Sequence, residues 1–208
     1  MGWLQNFLDW FRSWWQRFIC LIRRFLAPNE RSFSMSECIY GWTAAYRIVD
    51  GDCVLQITIR IRLNPDADVT AAEIAALQAV WEPGIEARWS NRFTINRSSG
   101  DCGCPSYPVR FDVQFVNAGQ HHTVRVRRGP ARSNMTTWDT ADDAGAASHE
   151  FGHMLGLADE YADANCPNRV VATDNSIMRT NTGDTMNRHY QAFAVWLSNR
   201  NCCGFVVG

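Results

Sequence analysis

The chain has 208 residues, of which 46% are apolar and 20% charged, enough for one domain with a hydrophobic core plus an appendage. A formal net charge of −1 excludes the basic footprint of a nucleic-acid-binding protein, and no run of about 18 uncharged apolar residues offers a membrane span. All 20 basic residues are Arg, which fits a GC-rich genome, or a protein working inside another cell where the absence of Lys removes ubiquitin acceptors.

Residues 1–28 form a unit of their own. Leu4, Phe7, Leu8, Phe11, Trp14, Trp15, Phe18, Ile19, Ile22, Phe25 and Leu26 recur at helical spacing, while Gln5, Asp9, Arg12, Gln16, Arg17, Arg23 and Arg24 fill most of the other side. Pro28 ends the pattern. The segment lacks the basic start and the uninterrupted apolar run of a secretory signal peptide. Three roles stay open: a helix lying on a membrane surface, a loading segment for an export or injection machine, or a helix packed on the domain or on a second copy. Its general character is similar to the loading tags on cargo of bacterial contractile injection systems.

Residues 29–45, mixed and Ser-rich, read as a linker into a domain spanning 46–208. No propeptide is evident between residues 28 and 50. Val54–Leu63 alternates apolar and polar residues and predicts a strand. Thr70 and Glu73 form a capping box for a helix running to about Trp81 and stopped by Pro83-Gly84. Arg88–Asn96 reads as a strand, Ser98–Pro108 as a loop, and Arg110–Val116 with Thr123–Arg128 as a strand pair headed by the exposed His121 and His122. Ala144–Leu155 predicts a helix whose small residues allow close packing, with carboxylates from Asp139 to Asp143 at its N-terminus. A last helix is expected over Asn187–Leu197, with Phe193, Trp196 and Leu197 in the core.

The eight cysteines, at 20, 38, 53, 102, 104, 166, 202 and 203, suit disulfides in an oxidising compartment, with a connectivity that spacing does not give. No C-x-x-C pair exists, so a second, structural zinc has little support.

The chemistry concentrates in His149–Tyr161, HEFGHMLGLADEY. His149 and His153 are one helical turn apart and project from the same face. Two imidazoles at that spacing hold zinc, and Glu150 between them can act as general base on water. A catalytic zinc takes about three protein ligands and keeps one position open. The third ligand is to be sought in Asp159, six residues past His153, because Gly156 permits a sharp turn back toward the metal. His189 is the rival and Glu160 a weaker candidate. Tyr161 and Tyr190 are candidate oxyanion helpers, though packing or surface roles suit them better.

The segment resembles the metzincin clan of zinc metallopeptidases, in its HExxHxxGxxD, snapalysin-like branch of bacterial enzymes. The resemblance covers Ser148 to Met178; beyond it only the order of elements agrees. It departs from most of the clan in placing Asp159 where His is usual. It implies an α+β domain with a twisted mixed sheet, an active-site helix and a C-terminal helix, preceded here by the amphipathic segment. It implies Zn2+ held by His149, His153 and Asp159, Glu150 as catalytic base, and Met178 of Ser176-Ile177-Met178-Arg179 as a Met-turn beneath the metal. The expected function is zinc-dependent hydrolysis of protein or peptide substrates, by an enzyme exported outside the general secretory route, as an effector or toxin. The alternative is a membrane-associated or assembly protein with a structural or degenerate zinc site.

Overall fold

A helix comes first, α1 (Gly2–Leu26), in the computed structural model, which describes residues 2–26 and 28–208. The side chains at positions 2, 4, 9, 13, 16, 17 and 23–26 lie outside the described residues. With them go the expected contributions of Leu4, Asp9, Gln16, Arg17, Arg23, Arg24, Phe25 and Leu26 to the two faces. Among the described residues no helix is long and apolar enough to cross a membrane.

The chain is α+β, built on a curled mixed sheet. Strands β1 (Glu30–Glu37), β2 (Tyr40–Gly51) and β3 (Val54–Pro65) form an antiparallel meander. After α2 (Ala71–Trp89) come β4 (Thr94–Ser99), β5 (Ser106–Phe115), β6 (His122–Arg127) and the short β7 (Thr137–Asp139). Helix α3 (Ala144–Met154), a 3-10 turn (Asn187–Tyr190), α4 (Gln191–Asn201) and β8 (Gly204–Val207) complete the chain. The sheet order is β1-β2-β3-β5-β4-β8, with β6 pairing the far end of β3 and then β7.

Several expectations are corrected by this architecture. Residues 29–45 are not a linker: Arg31, Phe33, Met35 and Glu37 alternate inward along β1, and β2 is already under way at Tyr40. The Ser at every other position kept that alternation from reading as a strand. The predicted pair of Arg110–Val116 and Thr123–Arg128 does not exist. β5 runs parallel to β3 from Leu55 to Ile61, and β6 takes over from Ile61 to Pro65, so both lean on β3. Arg88 and Trp89 end α2 rather than opening a strand.

Helix α2 continues through Pro83 although proline removes a backbone donor. Packing outweighs that loss. Trp81, Ile85 and Trp89 are fully buried, and a Cβ on Gly84 would lie 2.3 Å from the Ala144 Cβ, so glycine lets α2 and α3 touch. The indoles of Trp81 and Trp89 donate to the carbonyls of Asp142 (2.9 Å) and Ser148 (3.0 Å), fixing the start and middle of α3.

Four disulfides join Cys20 to Cys202, Cys38 to Cys166, Cys53 to Cys104 and Cys102 to Cys203, leaving no free thiol. Cys38–Cys166 ties the β1–β2 turn to the loop after Asp159, Cys53–Cys104 ties the β2–β3 turn to the 100–105 loop, and the other two join the C-terminal end to α1 and to that loop.

His121 and His122 are not exposed strand-end residues. His122 is buried with Nε2 2.8 Å from the Ala45 carbonyl, and His121 bridges the Arg60 amide and the Glu30 carboxylate. Burial pushes His122 down to about 4 from 6.5. Between those values the unfolded chain binds the proton and the folded chain does not, so stability falls as pH drops from about 6.5 toward 4, by up to about 3 kcal/mol. His122→Gln keeps a donor for Ala45 and should remove this share of the acid sensitivity. Urea midpoints compared near pH 7 and near pH 4.5 test it, and an equal loss in the variant would overturn it.

Candidate metal centre

Asp143 caps α3, its carboxylate accepting from the Ala146 amide at 2.8 Å, so the helix begins one turn before His149. His149 and His153 then share the face turned into a cleft of about 950 Å³. The helix ends where expected: Gly156 has φ +96°, a backbone conformation that favours glycine. A Cβ there would also press on Phe33 (3.1 Å) and Ala44 (3.3 Å), so β1 and β2 support the turn from below.

The turn returns Asp159 to the two histidines. One oxygen, Oδ1, lies 3.1 Å from His149 Nε2 and 3.2 Å from His153 Nε2. Candidate ligand atoms of these three residues all lie within 4.8 Å of one another. The outer nitrogens are committed elsewhere. His149 Nδ1 is 2.7 Å from the Ile177 carbonyl and His153 Nδ1 is 2.8 Å from the Leu157 carbonyl. A carbonyl only accepts, so each Nδ1 carries a proton and each Nε2 is left facing Asp159. Two Nε2 nitrogens and one carboxylate oxygen so placed could hold a single cation between them. The donor set of two imidazoles and a carboxylate fits zinc, and backbone carbonyls on the outer nitrogens are the usual device for orienting metal-binding histidines.

Burial opposes charge on both Asp159 and His153, yet the hydrogen bonds of Asp159 with His149 and His153 outweigh it. Asp159 is held well below the usual carboxylate range, with Tyr161 as a further donor (2.8 Å), and His153 is raised. Tyr161 is pushed up to about 12, first by burial and then by that same bond. The second oxygen of Asp159 also faces the buried Arg169 guanidinium at 3.6 Å. Glu150 is 8% exposed, and its Oε2 has no hydrogen-bond partner among the described residues. Burial raises its pKa, partly countered by His153 and His149.

The rival ligands go elsewhere. His189 is buried away from the cluster, with Nε2 3.3 Å from Ser176 Oγ and 3.5 Å from Glu160 Oε1. Glu160 itself is chelated by Arg188 at 2.6 and 2.7 Å. Tyr190 is a core residue, fully buried, donating to the Trp89 carbonyl.

Met178 is fully buried under α3, where a Cβ on Gly152 would lie 2.3 Å from its sulfur and 3.3 Å from the Trp89 ring. Gly152 is thus the point of closest approach between the helix and the Ser176–Arg179 turn, whose Ile177 carbonyl orients His149. Gly152→Ala should destabilise the fold by about 1–3 kcal/mol, read as a lower urea midpoint. An unchanged midpoint would mean that Met178 has room to move.

Sequence reasoning missed Glu37, Trp42 and Arg169. The Trp42 indole donates to the His153 carbonyl (3.0 Å) and packs edge-on to its ring. No family model, curated protein or solved structure significantly matches this chain.

Proposed function

We propose that the chain is a zinc-dependent endopeptidase of metzincin-like design. The observation that carries this is the convergence of two Nε2 nitrogens and one Asp159 oxygen with a buried Glu150, whose Oε2 has no hydrogen-bond partner among the described residues, in the lining of one open cleft. A purely structural metal would not need a base held free of partners next to it. The positive φ of Gly156 and the burial of Met178 under α3 add support, since the resemblance leads one to expect a turn and a buried methionine there. The four disulfides support work in an oxidising compartment, in keeping with export.

His149, His153 and Asp159 would hold the ion. Zinc bound there would supply Lewis-acid polarisation of a peptide carbonyl and would make water more acidic. Glu150 takes the proton of the attacking water on its free oxygen and delivers it to the leaving amine. Burial raises its pKa, which helps it hold the proton between the two halves of that cycle. Arg169 and Tyr161 hold the outer oxygen of Asp159, leaving Oδ1 directed at the histidines.

The test is metal content together with casein hydrolysis on one purified batch. The expected result is one zinc per chain, with cleavage lost to a chelator and restored by added zinc. A chain without zinc would overturn the metal site. Zinc without cleavage of casein or of a diverse peptide library would overturn the peptidase and favour a structural site.

A further inference from the structure

We propose that α1 docks the protein on an anionic lipid surface, lying in the interface with its aromatic face in the bilayer. Ten large apolar side chains of this one helix are exposed, among them Trp3 (79%), Trp10 (61%), Trp14 (48%), Trp15 (49%) and Leu21 (57%). The rings form two ladders with centroids about 6 Å apart, one from Trp3 through Phe7 to Trp10 and one from Phe11 through Trp14 and Trp15 to Phe18.

The way the helix is tethered decides which face is free. At about 100° per residue, the exposed apolar positions from Trp3 to Ile22 fill one half of the helix. Gln5, Asn6, Arg12 and Cys20 fall in the other half. Cys20 is the residue bonded to Cys202 at the end of α4, so the protein holds α1 by its polar side. Among the described side chains of α1 only Ile19 and Cys20 are half-buried, and all others are exposed. A helix meant to cover the domain's own core would be attached the other way round.

Charge selects the surface. Residues 1–27 carry Arg12, Arg17, Arg23 and Arg24 against Asp9 alone, in a chain whose net charge is −1. The helix is therefore a cationic segment on an otherwise acidic protein. An aromatic apolar face on a segment of net positive charge, with Arg12 in the opposite half, suits the headgroup region of anionic bilayers, where Trp rings rest at the polar boundary. The helix is not apolar enough to span, so it lies on the surface. This inference does not depend on the proposed peptidase activity.

The experiment uses the full, disulfide-bonded chain and extruded vesicles of phosphatidylcholine, with or without phosphatidylglycerol. The expected result is co-sedimentation with the anionic vesicles, a blue shift of tryptophan emission, and binding that weakens as salt rises. The double variant Phe11→Asp and Trp14→Asp should lose binding by about tenfold or more while keeping its far-UV circular dichroism and melting temperature, because both side chains face solvent. No association of the wild type with anionic vesicles would overturn the proposal. So would association that the double variant leaves unchanged. A wild-type dimer that ignores vesicles and that the variant dissociates would assign the face to a second copy instead.

Discussion

Glu150→Gln should leave zinc bound at one per chain and lower peptide hydrolysis by about 10²–10⁴-fold. Gln matches Glu in shape and keeps the side chain in its pocket, so the His149, His153 and Asp159 cluster has no reason to move. What is lost is the capacity to take a proton. The carboxylate's Oε2 is buried with no hydrogen-bond partner among the described residues, and Glu150 lines the same cleft as His149, His153 and Asp159. Substitution by a neutral amide also removes a charge that burial makes costly, so the variant should be at least as stable as the wild type. Zinc content by elemental analysis, cleavage of casein and thermal melting together form the test. A variant that cleaves at the wild-type rate would take the base away from Glu150, and a variant that loses zinc would make Glu150 part of the metal site.

The site was legible in the sequence to the extent that its parts are local. His149, Glu150, His153, Gly156 and Asp159 fall within one helix and its turn, so spacing alone brings them together. The Ile177 carbonyl and Met178 could be anticipated only through the resemblance, because nothing between residues 160 and 176 dictates that the chain returns under α3. The supports from β1 and β2 were hidden for a different reason. Phe33, Trp42 and Ala44 touch the site across more than a hundred residues, and in β1, where Phe33 lies, alternating Ser masks the strand period. The sheet failed at register. β5 and β6 each carry a clear period of two, but periodicity says which face is inward and not which neighbour is paired. Only the long β3, offering two successive stretches of edge, lets both run parallel to it.

Arg169 is the residue whose loss should reach furthest from the chemistry. Its side chain is 2% exposed, wedged between the rings of Tyr40 (5.7 Å) and Tyr161 (5.3 Å). It donates to Glu37 at 2.8 Å and faces Asp159 at 3.6 Å. Cys38–Cys166 holds both ends of this contact, one residue from Glu37 and three from Arg169. Arg169→Met fills the space but leaves the Glu37 and Asp159 carboxylates without their countercharge. Breaking a buried pair in this way costs about 3–5 kcal/mol, and loss of a group that orients a ligand weakens metal binding by about 10–100-fold. Two readouts separate these effects: the urea midpoint reports the ion pair, and zinc titration against a competing chelator reports Asp159. Adding Glu37→Gln to the variant removes the stranded carboxylate and should recover part of the midpoint through non-additive coupling. Zinc affinity should stay low, because Asp159 still lacks its support. Recovery of both quantities would mean that Arg169 serves only the fold, and an unchanged zinc affinity in Arg169→Met would remove it from the metal centre.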